Sequence, residues 1–192
     1  MAGVDIARAT IVARHESGHL IVARSYGFST GDIKLTTEEG GAVVELQPSV
    51  PTVDKIVEYL EKRIVVLYAG SLAESLVQKK VDGPKAIKFL NSTAKNDYAK
   101  VRELARVLAG IAHPNVGRDE FEKALADNDS RLFNDAAKLI EGNYDVIFDL
   151  TQFFARTYVR SKANPFVLTG KEVDTFLADK KIKNITEVID NS

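Results

Sequence analysis

Two histidines, His15 and His19, stand four residues apart in the segment ARHESGHLIVAR, and Glu16 directly follows the first of them. Apolar and small residues surround the pair, and we expect a helix over about residues 6–26 that ends at Gly27. One helical turn separates the two imidazoles, so they share a face of that helix. The segment therefore presents two imidazoles on one side of a predicted helix.

The pattern His-Glu-x-x-His has a chemical rationale. Imidazoles at positions i and i+4 converge on one zinc ion, and the glutamate between them lies where it can take a proton from a water that the metal activates. We therefore predict that His15 and His19 bind Zn²⁺ and that Glu16 is a general base. The competing interpretation is an ordinary amphipathic helix that carries two histidines.

A catalytic zinc site has a third protein ligand and one open coordination position. The chain contains no cysteine, so the third ligand must be a histidine or a carboxylate. His113, the one remaining histidine, and many aspartates and glutamates are candidates. Local sequence reasoning does not choose among them.

Composition narrows the class of protein. A chain of 192 residues with 45% apolar residues suits a single folded domain, and a net charge of −1 gives no reason to expect binding to nucleic acid. No apolar run approaches the roughly 18 residues of a spanning helix, so we expect no membrane insertion by this chain. The N-terminus shows no signal-peptide pattern, and we predict a cytoplasmic protein.

The periodicity predicts a mainly α fold with one small β-hairpin or edge sheet. Two β-prone runs, residues 33–37 and 42–46, flank a turn in which we expect Gly40 and Gly41 to adopt positive φ. We predict a capping box at Thr169 and a short terminal helix from Asn184. We expect one domain over residues 1–192, with the metal-site half at about 1–112 and a helical half at about 113–192. Helical spacing of apolar residues covers residues 53–78, 93–111 and 131–160.

Four segments, in order along the chain, resemble the peptidase domain of FtsH-type ATP-dependent zinc proteases. HESGHLIVA resembles the family's zinc helix, and LYAGSLAESLV resembles its Gly-Gly-Arg-x-Ala-Glu-Glu helix. STAKNDYAKVRELA resembles its Gly-Ala-x-Asn-Asp-Leu segment, and VLTGKEV resembles its Thr-Leu-x-Gly-x-Glu stretch. The matches extend across nearly the whole chain. Ser17, Ser71 and Thr93 depart from the family's usual alanine, arginine and glycine.

The resemblance implies specific roles for further residues. Asp97 matches the aspartate that binds zinc, and it would lie in the first turn of its helix, where the helix dipole favours a carboxylate anion. Glu74 matches the acidic residue of the Gly-Gly-Arg-x-Ala-Glu-Glu helix; we interpret it as a residue that supports a ligand or packs beside the site, and it is the alternative third ligand. The run Ala42, Val43 and Val44 would be an edge strand that holds an extended substrate by β-addition, although a plain hairpin that only covers the core is an equal alternative.

The resemblance also implies an activity. We expect a zinc-dependent endopeptidase, a metalloprotease that cleaves unfolded polypeptides or peptides, in a homo-oligomeric ring as in the family. The sequence contains no Gly-x-x-x-x-Gly-Lys-Ser/Thr phosphate loop, so ATP-driven unfolding would need a separate ATPase partner. The alternative is an inactive peptidase-fold interaction domain that binds an ATPase or another partner.

Overall fold

The computed structural model describes residues 6–36, 40–45, 50–161, 163 and 165–190. Over these ranges the fold is mainly α with a small antiparallel sheet, which confirms the predicted fold class. None of the helices described is long and apolar enough to cross a membrane. The helices are α1 (Ile6–Ser25), α2 (Val53–Ser75), α3 (Gly83–Leu90), α4 (Lys95–Ala112), α5 (Arg118–Gly142), α6 (Tyr144–Ser161), α7 (Gly170–Leu177) and α8 (Ile185–Ile189). The strands are β1 (Thr30–Leu35), β2 (Gly40–Val44), β3 (Leu76–Val77), β4 (Lys80–Val81) and β5 (Phe166–Leu168).

The main sheet has the strand order β2-β1-β5, and both pairings are antiparallel. The predicted hairpin is therefore present, and β5 is an additional strand that the sequence analysis missed. Because β1 is central, the outer side of β2 is a sheet edge among the described residues. The edge strand that the resemblance implied is thus found at β2.

The expectation for Gly40 and Gly41 was wrong. Both residues lie within β2, where they pair with Leu35 and Lys34 of β1, and neither has a positive φ. The turn itself falls on residues 37–39, which are outside the described part of the chain, as is residue 46 at the predicted end of the second strand. Gly27 does adopt the left-handed conformation, with φ of 79°, just after the end of α1, as predicted.

Helix boundaries differ from the predictions in three places. The helix expected to reach residue 78 ends at Ser75, because Gln78 and Lys79 take positive φ in the turn between β3 and β4. α3 was not predicted from the sequence, although the side chain of Asp82 caps it. The run 131–160 is two helices, because Asn143 closes α5 and its buried side chain bonds the backbone of Lys183.

The C-terminal predictions are confirmed. Thr169 caps α7 and forms a capping box with Glu172, and Asn184 caps α8 with Glu187 in the same way. These reciprocal bonds satisfy backbone N–H groups that a helix start leaves without an intrahelical partner.

The close packing of α1 against α2 positions the residues of the candidate site. A Cβ atom at Gly18 would lie 2.6 Å from the carbonyl oxygen of Ala69 and 2.7 Å from Cβ of Ala73, so only glycine allows the two helices to approach this closely. α1 also packs on α6, and α2 packs on α4 and α5, so the two predicted halves of the chain contact each other. Every residue in the range 16–23 of α1 is buried, which makes this helix the centre of the core.

Candidate metal centre and cleft

Two elements bring three candidate ligands together: α1 supplies His15 and His19, and the first turn of α4 supplies Asp97. The two histidine Nε2 atoms are 2.9 Å apart, and they lie 3.5 Å (His15) and 3.3 Å (His19) from Oδ2 of Asp97. Tetrahedral zinc with bonds of about 2.0–2.2 Å holds its ligand atoms about 3.3 Å apart. The three atoms therefore fit the spacing of a zinc site.

The second nitrogen of each imidazole is held by another group. Nδ1 of His15 lies 2.5 Å from Oε1 of Glu74, and Nδ1 of His19 lies 2.7 Å from the carbonyl oxygen of Val66. A hydrogen bond of this kind at one ring nitrogen orients the other nitrogen toward a metal and is usual for histidine ligands. Both partners come from α2, so the packing of α1 on α2 also sets the direction of the imidazoles.

Without a metal, the pKa values of His15 and Asp97 are set largely by the hydrogen bonds within the cluster. Burial lowers the pKa of the His15 imidazole, but the hydrogen bonds to Asp97 and Glu74 raise it further, to about 10. Burial raises the pKa of the Asp97 carboxyl, and its bonds to His15 and His19 more than offset this and hold that pKa far below its usual range. His15 is therefore protonated and supplies the positive charge between Asp97 and Glu74. A metal ion that binds here would have to displace this proton.

Gly70 of α2 forms the floor of the cluster. A Cβ atom at this position would lie 2.5 Å from Nε2 of His15 and 2.5 Å from Nε2 of His19. The backbone of α2 therefore approaches the two candidate ligand nitrogens as closely as a side-chain-free residue permits. This role of Gly70 was not predicted, and the signal available was its position in the small-residue stretch that resembles the Gly-Gly of FtsH-type proteases.

Glu16 lies beside the cluster and is 5% exposed. Its carboxylate has no hydrogen bond or salt bridge with any residue that the structure describes. A Cβ atom at Gly40 would lie 2.8 Å from its Oε1 atom, so β2 begins directly against this carboxylate. A nearly buried carboxylate without such a partner among the described residues is available to a water or a substrate group.

The cluster opens into a cleft of about 700 Å³ between α1, α2, α4 and β2. Ala42 and Val44 line this cleft, but Val43 does not, because successive side chains of a strand point to opposite faces. The side chain of Val43 is instead 51% exposed. Of the three residues named for the predicted substrate strand, two therefore have side chains at the cleft.

The remaining candidates lie outside the three-residue cluster. His113 is the C-cap of α4, at the opposite end of that helix from Asp97. Glu74 contacts the Nδ1 side of His15, away from the ligand nitrogens. Among the carboxylates and histidines of the described residues, Asp97 is the candidate third ligand that lies with both histidines. Neither protein-family models nor curated proteins match this sequence.

Proposed function

We propose that this chain is a zinc-dependent endopeptidase of the FtsH type that cleaves unfolded polypeptides or peptides. The observation that carries the proposal is the triangle of His15, His19 and Asp97 at the spacing of a tetrahedral zinc site. The Glu16 carboxylate lies beside it, almost buried and without a hydrogen bond or salt bridge to a described residue, and an open cleft and a sheet edge border both. This is the set of groups that metal-assisted peptide hydrolysis requires.

His15, His19 and Asp97 would hold the metal, which when bound acts as a Lewis acid toward water and toward the scissile carbonyl. Glu16 takes the proton from the attacking water on a carboxylate oxygen as the water oxygen bonds the carbonyl carbon. It then gives that proton to the amide nitrogen as the C–N bond breaks, so the products are a carboxylic acid and an amine. Glu74 and the Val66 carbonyl keep both imidazoles oriented throughout.

The direction of the backbone N–H groups of β2 indicates how an extended substrate would bind. The N–H of Glu45 bonds the carbonyl oxygen of Ser29, so at this position the backbone faces β1. Backbone groups alternate in direction along an antiparallel strand. We therefore expect the N–H groups of Val44 and Ala42 to point to the open edge and that of Val43 to point to β1, since the extra residue of the irregular pairing between Thr30 and Ile33 lies on β1. An extended peptide at this edge would pair with Ala42 and Val44.

Proline substitutions at Val43 and Val44 distinguish an N–H group that points to the open edge from one that points to β1. In Val44→Pro the lost N–H faces the edge, so we expect KM for an unstructured peptide to rise several-fold while zinc content and Tm change little. In Val43→Pro the lost N–H belongs to the β1–β2 ladder, so we expect the main effect to be a lower Tm. Peptide kinetics and thermal melts on both variants check this. Unchanged kinetics in a folded Val44→Pro protein would remove β2 from substrate binding.

The assignment of the third ligand is tested by three alanine variants. Asp97→Ala should weaken zinc binding more than 100-fold, because it removes an atom of the triangle. Glu74→Ala should weaken it by about 10–100-fold, the usual cost of losing a group that orients a ligand. His113→Ala should not change it. Competition with a chelator gives the three affinities, and a larger loss in Glu74→Ala than in Asp97→Ala would make Glu74 the third ligand.

The activity itself is tested with purified wild-type protein. We expect about one zinc per chain by elemental analysis, and cleavage of an unstructured peptide that stops when a chelator removes the metal and resumes when zinc is restored. A protein that binds zinc at this site but cleaves no peptide would instead support the alternative of an inactive interaction domain.

A further inference from the structure

One stripe of α2 forms a wall of the cleft. Glu74, Gly70, Val66 and Arg63 recur along it at helical spacing, and all but Gly70 are among the residues that line the cleft. Gly70 meets the ligand nitrogens of both histidines, as described above. Arg63 lies seven residues before it, which is about 10 Å along the helix axis at 1.5 Å per residue.

Arg63 is a half-buried cation in this wall, and it has no hydrogen bond or salt bridge with any described residue. Lys100, another cation of the cleft, is placed differently, because its Nζ lies 3.4 Å from Oδ1 of Asp97. A guanidinium presents N–H donors in a fork that matches a carboxylate, and leaving these donors partly desolvated and unpaired is unfavourable. An anionic group of a bound molecule would satisfy them.

The position of Arg63 relative to β2 defines where that group would lie. His15 contacts Glu74 and His19 contacts Val66, so α1 and α2 run in opposite directions and the C-terminal end of α1 lies beside the N-terminal half of α2. Val44 ends β2 at that same end of α1, because its partner Thr30 accepts a hydrogen bond from Arg24. A peptide that follows β2 from Glu16 toward Val44 therefore runs toward Arg63.

An extended chain advances about 3.3 Å per residue, so the 10 Å offset corresponds to about three residues of substrate. We propose that Arg63 makes this site selective for substrates that carry a carboxylate about three residues from the cleaved bond. This inference rests on the proposed peptidase function for the cleavage step. The carboxylate has two possible sources with the same chemistry, an acidic side chain or the C-terminus of a short peptide.

The test measures peptide binding separately from cleavage. Fluorescent peptide pairs that differ only by Glu against Gln are scanned along one unstructured sequence, and one further pair ends in a free carboxylate or an amide. Binding is measured by anisotropy to Glu16→Gln protein in the presence of zinc, since this protein should not turn the peptides over. In parallel, wild-type protein cleaves the same set and mass spectrometry locates the cut.

We expect one Glu position to bind at least about tenfold more tightly than Gln, as a charged hydrogen-bonded pair typically provides. Arg63→Ala, added to Glu16→Gln, should abolish that preference, and Arg63→Lys should keep part of it because the charge remains but the fork is lost. Arg156→Ala is the matched control, because it removes an exposed arginine of α6 outside the cleft. It should leave the preference for Glu over Gln unchanged.

Equal binding of every pair, no measurable binding of any peptide, or a preference that survives Arg63→Ala would each overturn the inference. A preference in the terminal pair alone would assign the carboxylate to the C-terminus, and a preference at an internal position would assign it to a side chain. Carboxylate-dependent binding through Arg63 without any cleavage by wild-type protein would support this recognition while contradicting the proposed peptidase function.

Discussion

Glu16→Gln should retain zinc and lose peptide cleavage by about 10²–10⁴-fold, the range that one positioned acid–base group contributes. The amide has nearly the shape of the carboxylate but cannot accept the proton of the attacking water. Glu16 is 5% exposed and has no described hydrogen-bond or salt-bridge partner, so its replacement breaks no protein contact of that kind. Steady-state kinetics at saturating zinc, together with elemental analysis of the same sample, give both quantities.

Glu103→Gln is a suitable control, because Glu103 is an exposed glutamate of α4 that does not line the cleft. It makes the same chemical change and should leave kcat, KM and zinc content near wild-type values. If Glu16→Gln cleaves peptide as fast as wild type, Glu16 has no part in proton transfer, and the proposed mechanism loses its base.

Gly70→Ala should abolish zinc binding without unfolding the protein. The added methyl would lie 2.5 Å from the ligand nitrogen of each histidine, so at least one imidazole must turn away. We expect zinc affinity to fall at least about 100-fold, beyond the usual cost of losing a supporting hydrogen bond. The rise in Tm that zinc gives the wild-type protein should therefore disappear, because that rise depends on binding to the folded state. Melts with and without zinc measure it.

Gly110→Ala makes the same substitution in α4, where an added Cβ meets nothing within 4 Å. It should stabilise the protein by up to about 1 kcal/mol through helix propensity and leave zinc binding unchanged. A Gly70→Ala protein that binds zinc with wild-type affinity would show that the close approach of α2 does not define the ligand geometry.

The parts of the site that the sequence predicted are those carried by a short, local pattern. His15, Glu16 and His19 belong to one helical turn, and their spacing alone determines that they share a face. Asp97 lies on another helix, and no local feature distinguished it from other carboxylates. Only the ordered resemblance to a protease family singled it out.

Other features depend on contacts between distant segments. β5 is three residues long and exists as a strand because it pairs with β1, so no local periodicity predicts it. Gly40 was misjudged for the same reason: a glycine beside a predicted turn resembles a turn glycine, but its lack of a side chain is needed where β2 meets Glu16. α3 is a different case, because Asp82 followed by Gly83 and Pro84 is a recognisable helix start.

The burial of α1 along residues 16–23 has a consequence for motion. Every residue of this stretch is buried, so hydrogen exchange of its backbone amides should require disruption of the surrounding core. The backbone that carries His19 then persists as long as the fold itself. A destabilising substitution far from the cleft, for example among the core residues of α6, would increase the fraction of time in which the candidate ligands are apart.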